Sequence, residues 1–287
     1  MSQIHNKAIF DSLGEDYETH SNVNYYQKIG NGIINFLYNF LNIKSEEMDI
    51  NILDLCCGTG ILTKQLSDTF KNARFLGVDI SQIMLKEAQA KEIDRADFIQ
   101  IDGRDLGTLN YQADLITCNY GIQWLNEDAF IGISKILKSK GYFICSIPGY
   151  TLQNVKVSKE SVTFTGNKLF KAIIKISNKN CHYQEAKVPE KVMNVWNDTL
   201  GEKEIINAAL QNNMELVHQE ILIFQIDYKN AEDMIQSILS RGTFGDILSE
   251  KSDEFIYALT KYMTRMSEKY NNCTEENVTK YLIFKND

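Results

Sequence analysis

Proline, histidine and paired cysteine motifs are scarce in this sequence. The 287 residues include two prolines and four histidines, and none of the six cysteines forms a CxxC pair. A structural zinc site needs paired ligand spacings, whereas Cys181 and His182 are the only cysteine and histidine that lie side by side. We therefore predict no metal site, and the lack of proline also argues against a proline-rich linker between domains.

Targeting and membrane-spanning segments are also missing from the pattern. The first residues, MSQIHNKAIFDSLGEDYE, do not show the basic and then apolar order of a signal peptide. The most apolar stretch, IINFLYNFL at residues 33–41, is interrupted by polar residues and is far shorter than the roughly 20 residues that cross a bilayer. Because unpaired cysteines also suit a reducing compartment, we expect a cytoplasmic protein.

The sequence has no dense cluster of positive charge. Its formal net charge is −8, whereas general binding to nucleic acid requires clustered Lys and Arg. The one basic run, KILKSK at residues 135–140, precedes Gly141 at a predicted helix end, where the helix dipole favours lysine. We therefore expect neither nucleic acid nor a membrane as a partner, and the oligomeric state stays open.

Short apolar runs alternate with helical segments from residue 50 onward. The predicted strands cover residues 50–55, 74–79, 97–102, 113–119, 142–148, 214–227 and 278–284. The predicted helices cover residues 60–70, 81–92, 126–139, 202–211, about 230–240 and about 250–269. Strands separated by helices of about ten residues predict a doubly wound, mostly parallel seven-stranded sheet of the α/β class.

A glycine turn follows the first predicted strand, in the stretch NILDLCCGTGILT at residues 51–63. Such a turn lets a backbone approach a cofactor closely. The dinucleotide fingerprint GxGxxG fits poorly, because the spacing of Gly58 and Gly60 does not continue to a third glycine. The spacing acid-x-G-x-G-x-G fits better: Asp54 is the acid, Cys56 replaces the first glycine, and Gly58 and Gly60 follow. This pattern resembles motif I of the class I S-adenosylmethionine-dependent methyltransferases.

The next two predicted strands end in acids at the spacing of that family. The resemblance implies that Asp79 accepts hydrogen bonds from both ribose hydroxyls. It also implies that Ile80 lies against the adenine face, that Met84 makes a sulfur–aromatic contact, and that Asp102 and Gly103 hold the adenine amine and ring edge. Taken singly, a helix cap or a turn would explain each acid. Three sites at the ends of three successive strands favour the cofactor S-adenosyl-L-methionine.

Beyond the fourth strand the resemblance becomes narrower. Asn119 would lie beside the sulfonium, and the stretch YGIQW, with Gln123 and Trp124, resembles malonyl-carrier-protein O-methyltransferases and juvenile-hormone-acid methyltransferases. We interpret both residues as substrate contacts, although Trp124 could equally be a large core residue. The stretch FDSLGEDYETHSNVNYYQ resembles the lid helix of the same group, in which Tyr17 would close over the methionine carboxylate.

These resemblances divide the chain into four parts of one globular unit. Residues 1–45 would form a helical N-terminal lid, and residues 46–148 the core that binds S-adenosylmethionine. Residues 201–287 would complete the core. Between them, residues 149–200 break the alternation and are interpreted as an insertion on the substrate side, over the carboxyl edge of the sheet.

The predicted function is methyl transfer from S-adenosylmethionine to a small molecule or a carrier-bound acyl group. A carboxylate acceptor needs no general base, and Arg241 is then the candidate cation that fixes it. Other acceptors more often need a base, for which His20 is the first candidate and His182 the second. Three alternatives stay open: a small-molecule N-, O- or C-methyltransferase of secondary metabolism, a dinucleotide oxidoreductase, and a homologue that binds the cofactor without methyl transfer.

Overall fold

A single twisted sheet organises the described part of the chain. The computed structural model describes residues 10–11, 17–18, 22–41, 49–149, 164–165, 200–239, 253–270 and 273–287. The strands are β1 (Asn51–Leu55), β2 (Arg74–Asp79), β3 (Ala96–Gln100), β4 (Ala113–Asn119), β5 (Leu137–Pro148), β6 (Phe164–Thr165), β7 (Met214–Asp227) and β8 (Thr274–Asn286). The helices are α1 (Asn22–Asn39), α2 (Ile61–Thr69), α3 (Gln82–Ala90), α4 (Ala129–Ile136), α5 (Glu202–Gln211), α6 (Ala231–Leu239) and α7 (Asp253–Tyr270).

The strand order confirms the predicted fold class. Strands β3, β2, β1, β4 and β5 lie side by side in that order and are parallel. β8 joins β5 in the antiparallel direction, and β7 pairs antiparallel with the far edge of β8. These seven strands are the predicted mostly parallel sheet, to which the two-residue β6 adds a short pairing with β8. None of the helices in the described ranges is long and apolar enough to cross a membrane.

The carboxyl ends of β1, β2 and β4 therefore meet at one edge of the sheet. A crevice outside this edge is where ligands bind in open α/β sheets. Helix α1 packs on the sheet with Ile29, Ile33 and Leu37 fully buried, and its residue Tyr26 lies near the same edge. There Asn119 at the end of β4 donates from Nδ2 to the carbonyl of Tyr26, at 3.3 Å.

The predicted end of the helix before β5 is wrong. Helix α4 ends at Ile136, and β5 already begins at Leu137, which pairs with Ala113 of β4. The basic run is divided accordingly: Lys138 lies in the strand and pairs with Asp114 at 2.8 Å rather than with a helix terminus. Burial of Leu137 against β4, together with this ion pair, outweighs the helical pattern of the sequence.

Candidate active site

The loop between β1 and α2 alternates between ordinary and left-handed backbone. The φ angles of Cys56, Gly58 and Gly60 are 56°, 55° and 78°. A side chain on Gly60 would lie 3.1 Å from the Cβ of Ala88, whereas the space beside Gly58 is open to at least 4 Å. The glycine spacing of the sequence therefore reflects backbone geometry, and Gly58 is the point at which a ligand can approach the main chain.

Cys56 is a non-glycine residue in the left-handed region, which costs roughly 1–2 kcal/mol. Its side chain packs against Gly121, where an added Cβ would lie only 2.4 Å from the Cβ of Cys56. A hydrogen bond with the thiol of Cys118, together with burial, raises the pKa of Cys56. Burial likewise raises the pKa of Cys57. Protonated thiols are poor nucleophiles, so the direction of both pKa shifts argues against a nucleophilic role for either cysteine.

Asp54 is buried beneath the loop, with 1% of its surface exposed. Its Oδ2 accepts a hydrogen bond from the Thr63 hydroxyl at 2.6 Å, and its Oδ1 accepts one from the Thr117 hydroxyl at 3.0 Å. Burial outweighs these bonds and raises the pKa of Asp54 to about 6. The described contacts of Asp54 thus tie β1 to α2 and β4, and the sequence alone does not reveal the two threonines as its partners.

Asp79 lies at the end of β2 and faces the glycine loop. Its Oδ2 accepts from the backbone N–H of Gly58 at 2.9 Å, and its Oδ1 accepts from that of Ser81 at the same distance. Burial raises the pKa of Asp79, although these backbone donors oppose the effect. A carboxylate has about four acceptor positions, so Asp79 can still accept from a ligand hydroxyl.

The start of α3 is capped next to Asp79. The Ser81 hydroxyl accepts a hydrogen bond from the Met84 N–H at 3.2 Å, and Ser81 is the N-cap of the helix. Met84 is 1% exposed, whereas Ile80 is partly exposed at the edge of the sheet. Ile80 is thus accessible at this edge, whereas the Met84 side chain is buried.

Asp102 forms a bidentate ion pair that sequence reasoning missed. Both of its oxygens accept from the Arg104 guanidinium, at 2.9 and 2.7 Å, and Oδ1 also accepts from the Arg104 N–H at 2.9 Å. Gly103 is buried, and a side chain there would lie 2.8 Å from a methyl carbon of Leu125. The sequence signal for this ion pair was the spacing D-x-R, because a carboxylate and a guanidinium two residues apart can form a bidentate pair.

The turn after β4 adds a second group that sequence reasoning missed. Tyr120 has a φ of 56°, and its hydroxyl is hydrogen bonded to Thr279 at 2.6 Å and to Asn277 at 3.1 Å. Asn277 also donates to the Tyr25 hydroxyl at 2.7 Å. At the strand end itself, Asn119 accepts a hydrogen bond from the Ser146 hydroxyl at 2.7 Å. This network connects β4, β5, β8 and α1 at the carboxyl edge.

Gln123 and Trp124 follow in a short 3-10 turn. Gln123 is 8% exposed and donates from Nε2 to the Tyr120 carbonyl at 2.8 Å, which orients its Oε1 away from that carbonyl. Its buried Oε1 has no hydrogen-bond partner among the residues that the structure describes. The Trp124 ring meets the Phe10 ring edge to face, with centroids 5.7 Å apart. Gln123 is therefore buried, whereas Trp124 is partly exposed.

Four residues near the start of the chain contact the rim of this edge, and we call them the N-terminal cover: Phe10, Asp11, Tyr17 and Glu18. Asp11 accepts from the Ser81 hydroxyl at 2.6 Å, and the Tyr17 ring stacks on that of Tyr26 with centroids 5.3 Å apart. Glu18 forms an ion pair with Lys91. The cover thus reaches the start of α1, both ends of α3 and the turn after β4.

Several predicted residues lie outside the described part of the chain. These are His20, Arg241 and His182, together with most of residues 149–200. The roles assigned to them therefore stay predictions. In the described ranges, no group of three or more His, Cys, Asp or Glu side chains is placed to hold a metal ion.

Comparison with known proteins identifies the central segment. The methyltransferase domain family matches residues 52–141. This segment is similar to a methyltransferase domain. It contains the glycine loop, Asp79 and the end of β4. Over its whole length, the chain resembles in fold the magnesium protoporphyrin IX methyltransferase from Synechocystis PCC 6803. The TM-score is 0.55 at 14% identity, and the comparison covers 100% of both chains.

Curated relatives of the methyltransferase domain include enzymes with different acceptors. A malonyl-[acyl-carrier protein] O-methyltransferase from Hahella chejuensis is 32% identical over 37% of this chain and 39% of its own length. The demethylmenaquinone methyltransferase of Lactococcus lactis is 30% identical over 48% of this chain and 56% of its own length. The similarity covers less than two thirds of the length of either relative.

Proposed function

We propose that this chain is an S-adenosylmethionine-dependent methyltransferase that acts on a small molecule or on a carrier-bound acyl group, with a carboxylate oxygen as the favoured acceptor. The observation that carries the proposal is the pairing of Gly58 with Asp79. Gly58 leaves its backbone open, and its N–H fixes a carboxylate that still has acceptor capacity. A nucleoside with two vicinal hydroxyls and no phosphate fits this arrangement.

The other predicted cofactor residues fall into two groups by exposure. Cys56, Ile80, Asp102 and Asn119 are partly exposed at the edge, as a wall in contact with a ligand would be. Asp54, Gly60, Met84 and Gly103 are buried. We propose direct contact for the first group and positioning for the second. Tyr17, held against Tyr26, would close over the methionine end.

The chemistry asks little of the protein beyond placement. S-adenosylmethionine supplies an activated methyl group when it is bound. The protein's residues would hold the acceptor in line with that group and exclude water, which is the main catalytic contribution expected here. Gln123 supports an acceptor site beside Asn119, because its buried Oε1 can accept a hydrogen bond that no described residue donates. Arg241 would fix a carboxylate, and His20 would act as a base for other acceptors.

The choice of acceptor rests on resemblance more than on geometry. Malonyl-carrier-protein O-methyltransferases recur among the relatives, which supports a carrier-bound acyl group. The demethylmenaquinone enzyme supports a small ring compound and hence the alternative of small-molecule N-, O- or C-methylation. A homologue that binds the cofactor without methyl transfer is the third possibility. We also propose a cytoplasmic location, on the basis of the unpaired cysteines.

Titration of the full chain tests the cofactor assignment. S-adenosylhomocysteine should bind, whereas NAD⁺ should give no heat of binding. Asp79→Ala should reduce the affinity for S-adenosylhomocysteine by at least about 100-fold, because a charge-assisted pair of hydrogen bonds and the Gly58 anchor are both lost. Asp97→Ala is the matched control, since Asp97 is an exposed acid on the neighbouring strand. Unchanged affinity in Asp79→Ala would remove Asp79 from the site.

Turnover with defined acceptors tests the second half of the proposal. Release of S-adenosylhomocysteine should be measured with malonyl-[acyl-carrier protein], with free malonate and with demethylmenaquinone as acceptors. Turnover of the carrier-bound substrate alone would support the carboxylate hypothesis, and turnover of demethylmenaquinone would support the small-molecule alternative. Binding of the cofactor with no product from any of the three would favour the homologue without methyl transfer.

A further inference from the structure

Lys91, at the end of α3, joins three separate parts of the molecule. Its ammonium donates a hydrogen bond to the backbone carbonyl of Thr59 and forms an ion pair with the carboxylate of Glu18. Thr59 lies between Gly58 and Gly60 in the glycine loop. The side chains of Lys91 and Glu18 are 24% and 30% exposed, so both contacts are only partly open to solvent.

The glycine loop and α3 are already in direct contact at this point. Gly60 packs on Ala88, one turn before Lys91, and a Cβ added at Gly60 would lie 3.1 Å from the Cβ of Ala88, closer than an ordinary contact. Thr59 is 1% exposed, so the donor to its carbonyl comes from a side chain on α3 rather than from bulk water. The position of the Lys91 ammonium is therefore defined by the loop, and Glu18 meets a charge that is already in place.

From this geometry we infer that Lys91 is a positioning residue, which couples the closed position of the N-terminal cover to the conformation of the glycine loop. The inference rests on the proposed cofactor site. When the cover is released, a smaller fraction of molecules has the complete site. The apparent affinity for the cofactor then falls in proportion to that fraction. Asp11 on Ser81 is the second polar anchor of the cover, so loss of Lys91 weakens closure without abolishing it.

A double-mutant cycle between Glu18 and Lys91 tests this coupling. The dissociation constant of S-adenosylhomocysteine would be measured for the full chain and for Lys91→Ala, Glu18→Ala and the double variant. Each single variant should bind about five-fold more weakly, as expected for a partly exposed ion pair with a shared carbonyl. The double variant should bind no more weakly than Lys91→Ala, because the two residues act through one contact.

Matched variants separate positioning from simple stabilisation. Lys86→Ala removes an exposed lysine from the same helix and should leave the dissociation constant unchanged. Lys91→Arg keeps the charge and should restore at least half of the lost affinity. If thermal unfolding shows that Lys91→Ala does not fold, Glu18→Gln and Lys91→Arg replace it in the binding measurement. Both variants keep a side-chain donor to the Thr59 carbonyl.

Each outcome bears on one proposal at a time. Failure of the unaltered chain to bind S-adenosylhomocysteine would overturn the proposed function. Binding by the unaltered chain combined with normal affinity in Lys91→Ala would overturn only the role of Lys91. Fully additive effects of the two single variants would do the same, because they would show that Glu18 and Lys91 act independently.

Discussion

The two halves of the candidate site are built in different ways. On the cofactor side, two pairs at the glycine loop are close in sequence: Gly58 and Asp79 are 21 residues apart, and Asp54 and Thr63 are nine, whereas Asp54 and Thr117 are 63. On the side beyond β4, Tyr120 bonds to Thr279 across 159 residues, and Tyr25 bonds to Asn277 across 252. The contacts of the glycine loop thus depend mainly on local spacing, whereas the Tyr120 network depends on long-range packing.

This difference matches the distribution of sequence similarity. The methyltransferase domain family matches residues 52–141, which contain the glycine loop, Asp79 and both threonine partners of Asp54. The residues of β8 that bond to Tyr120 lie outside that match. A short motif can specify backbone angles and one or two carboxylates. A network between distant elements leaves no comparable pattern in a single sequence.

Substitution of Gly58 should produce the largest effect on the cofactor side. Gly58→Val should lower the affinity for S-adenosylhomocysteine by about 100-fold or more, because a β-branched residue is strained at a φ of 55° and fills the open approach. The free energy of unfolding should fall by only about 1–2 kcal/mol, since no neighbour lies within 4 Å of the new side chain. A global loss of folding instead would show that the loop is primarily structural.

The pH dependence of stability should identify the buried carboxylate. The pKa of Asp54 rises from 3.8 to about 6 on folding, so the folded state holds this proton more tightly. Protonation of Asp54 therefore stabilises the folded state by about 3 kcal/mol below about pH 4, and this contribution is lost as the pH rises through about 6. Chemical denaturation across this range should show that the free energy of unfolding of the unaltered chain falls relative to that of Asp54→Asn as the pH rises from about 4 to about 6. A constant difference between them would contradict the prediction.

Replacement by glycine should destabilise the protein more at Cys57 than at Cys56. Cys57 is 8% exposed and packs on Gly77, so Cys57→Gly should cost about 1–3 kcal/mol of unfolding free energy. Cys56→Gly relieves the left-handed backbone of Cys56 but adds chain entropy, so it should stay within about 1 kcal/mol of the unaltered chain. Thermal unfolding of both variants measures the contrast, and equal losses would argue against backbone strain at Cys56.

The smallest expected effect on cofactor binding belongs to the acceptor side. Tyr120→Phe removes the hydroxyl that bonds to Thr279 and Asn277 and should cost about 1–2 kcal/mol of stability. The affinity for S-adenosylhomocysteine should change less than about two-fold, because these partners belong to β8 and not to the glycine loop. Tyr111→Phe, before the opposite end of β4, is the control. A large loss of affinity would show that the two sides are not independent.

Much of the fold was predictable because its signals are local. The strand and helix pattern indicated the parallel sheet, and the glycine spacing indicated the loop that now shows alternating left-handed residues. The helix end before β5 was not predictable, since the pairing of Leu137 with Ala113 depends on a neighbouring strand. Arg104 and Tyr120 were also missed as site residues. The partner of Arg104 is Asp102, and the sequence spacing does not fix how these two side chains are oriented. The partner of Tyr120 is Thr279 on β8, 159 residues away.

The sequence by itself determined the alternation of strands and helices, the position of the glycine turn and the acids at the ends of the strands. Each of these depends on periodicity or on the φ preference of a few neighbouring residues. Only the tertiary structure decided which acids are buried supports and which face the edge, and that Lys91 meets Glu18 beside the glycine loop. Burial and contacts between distant residues are properties of the packed chain, so no local pattern specifies them.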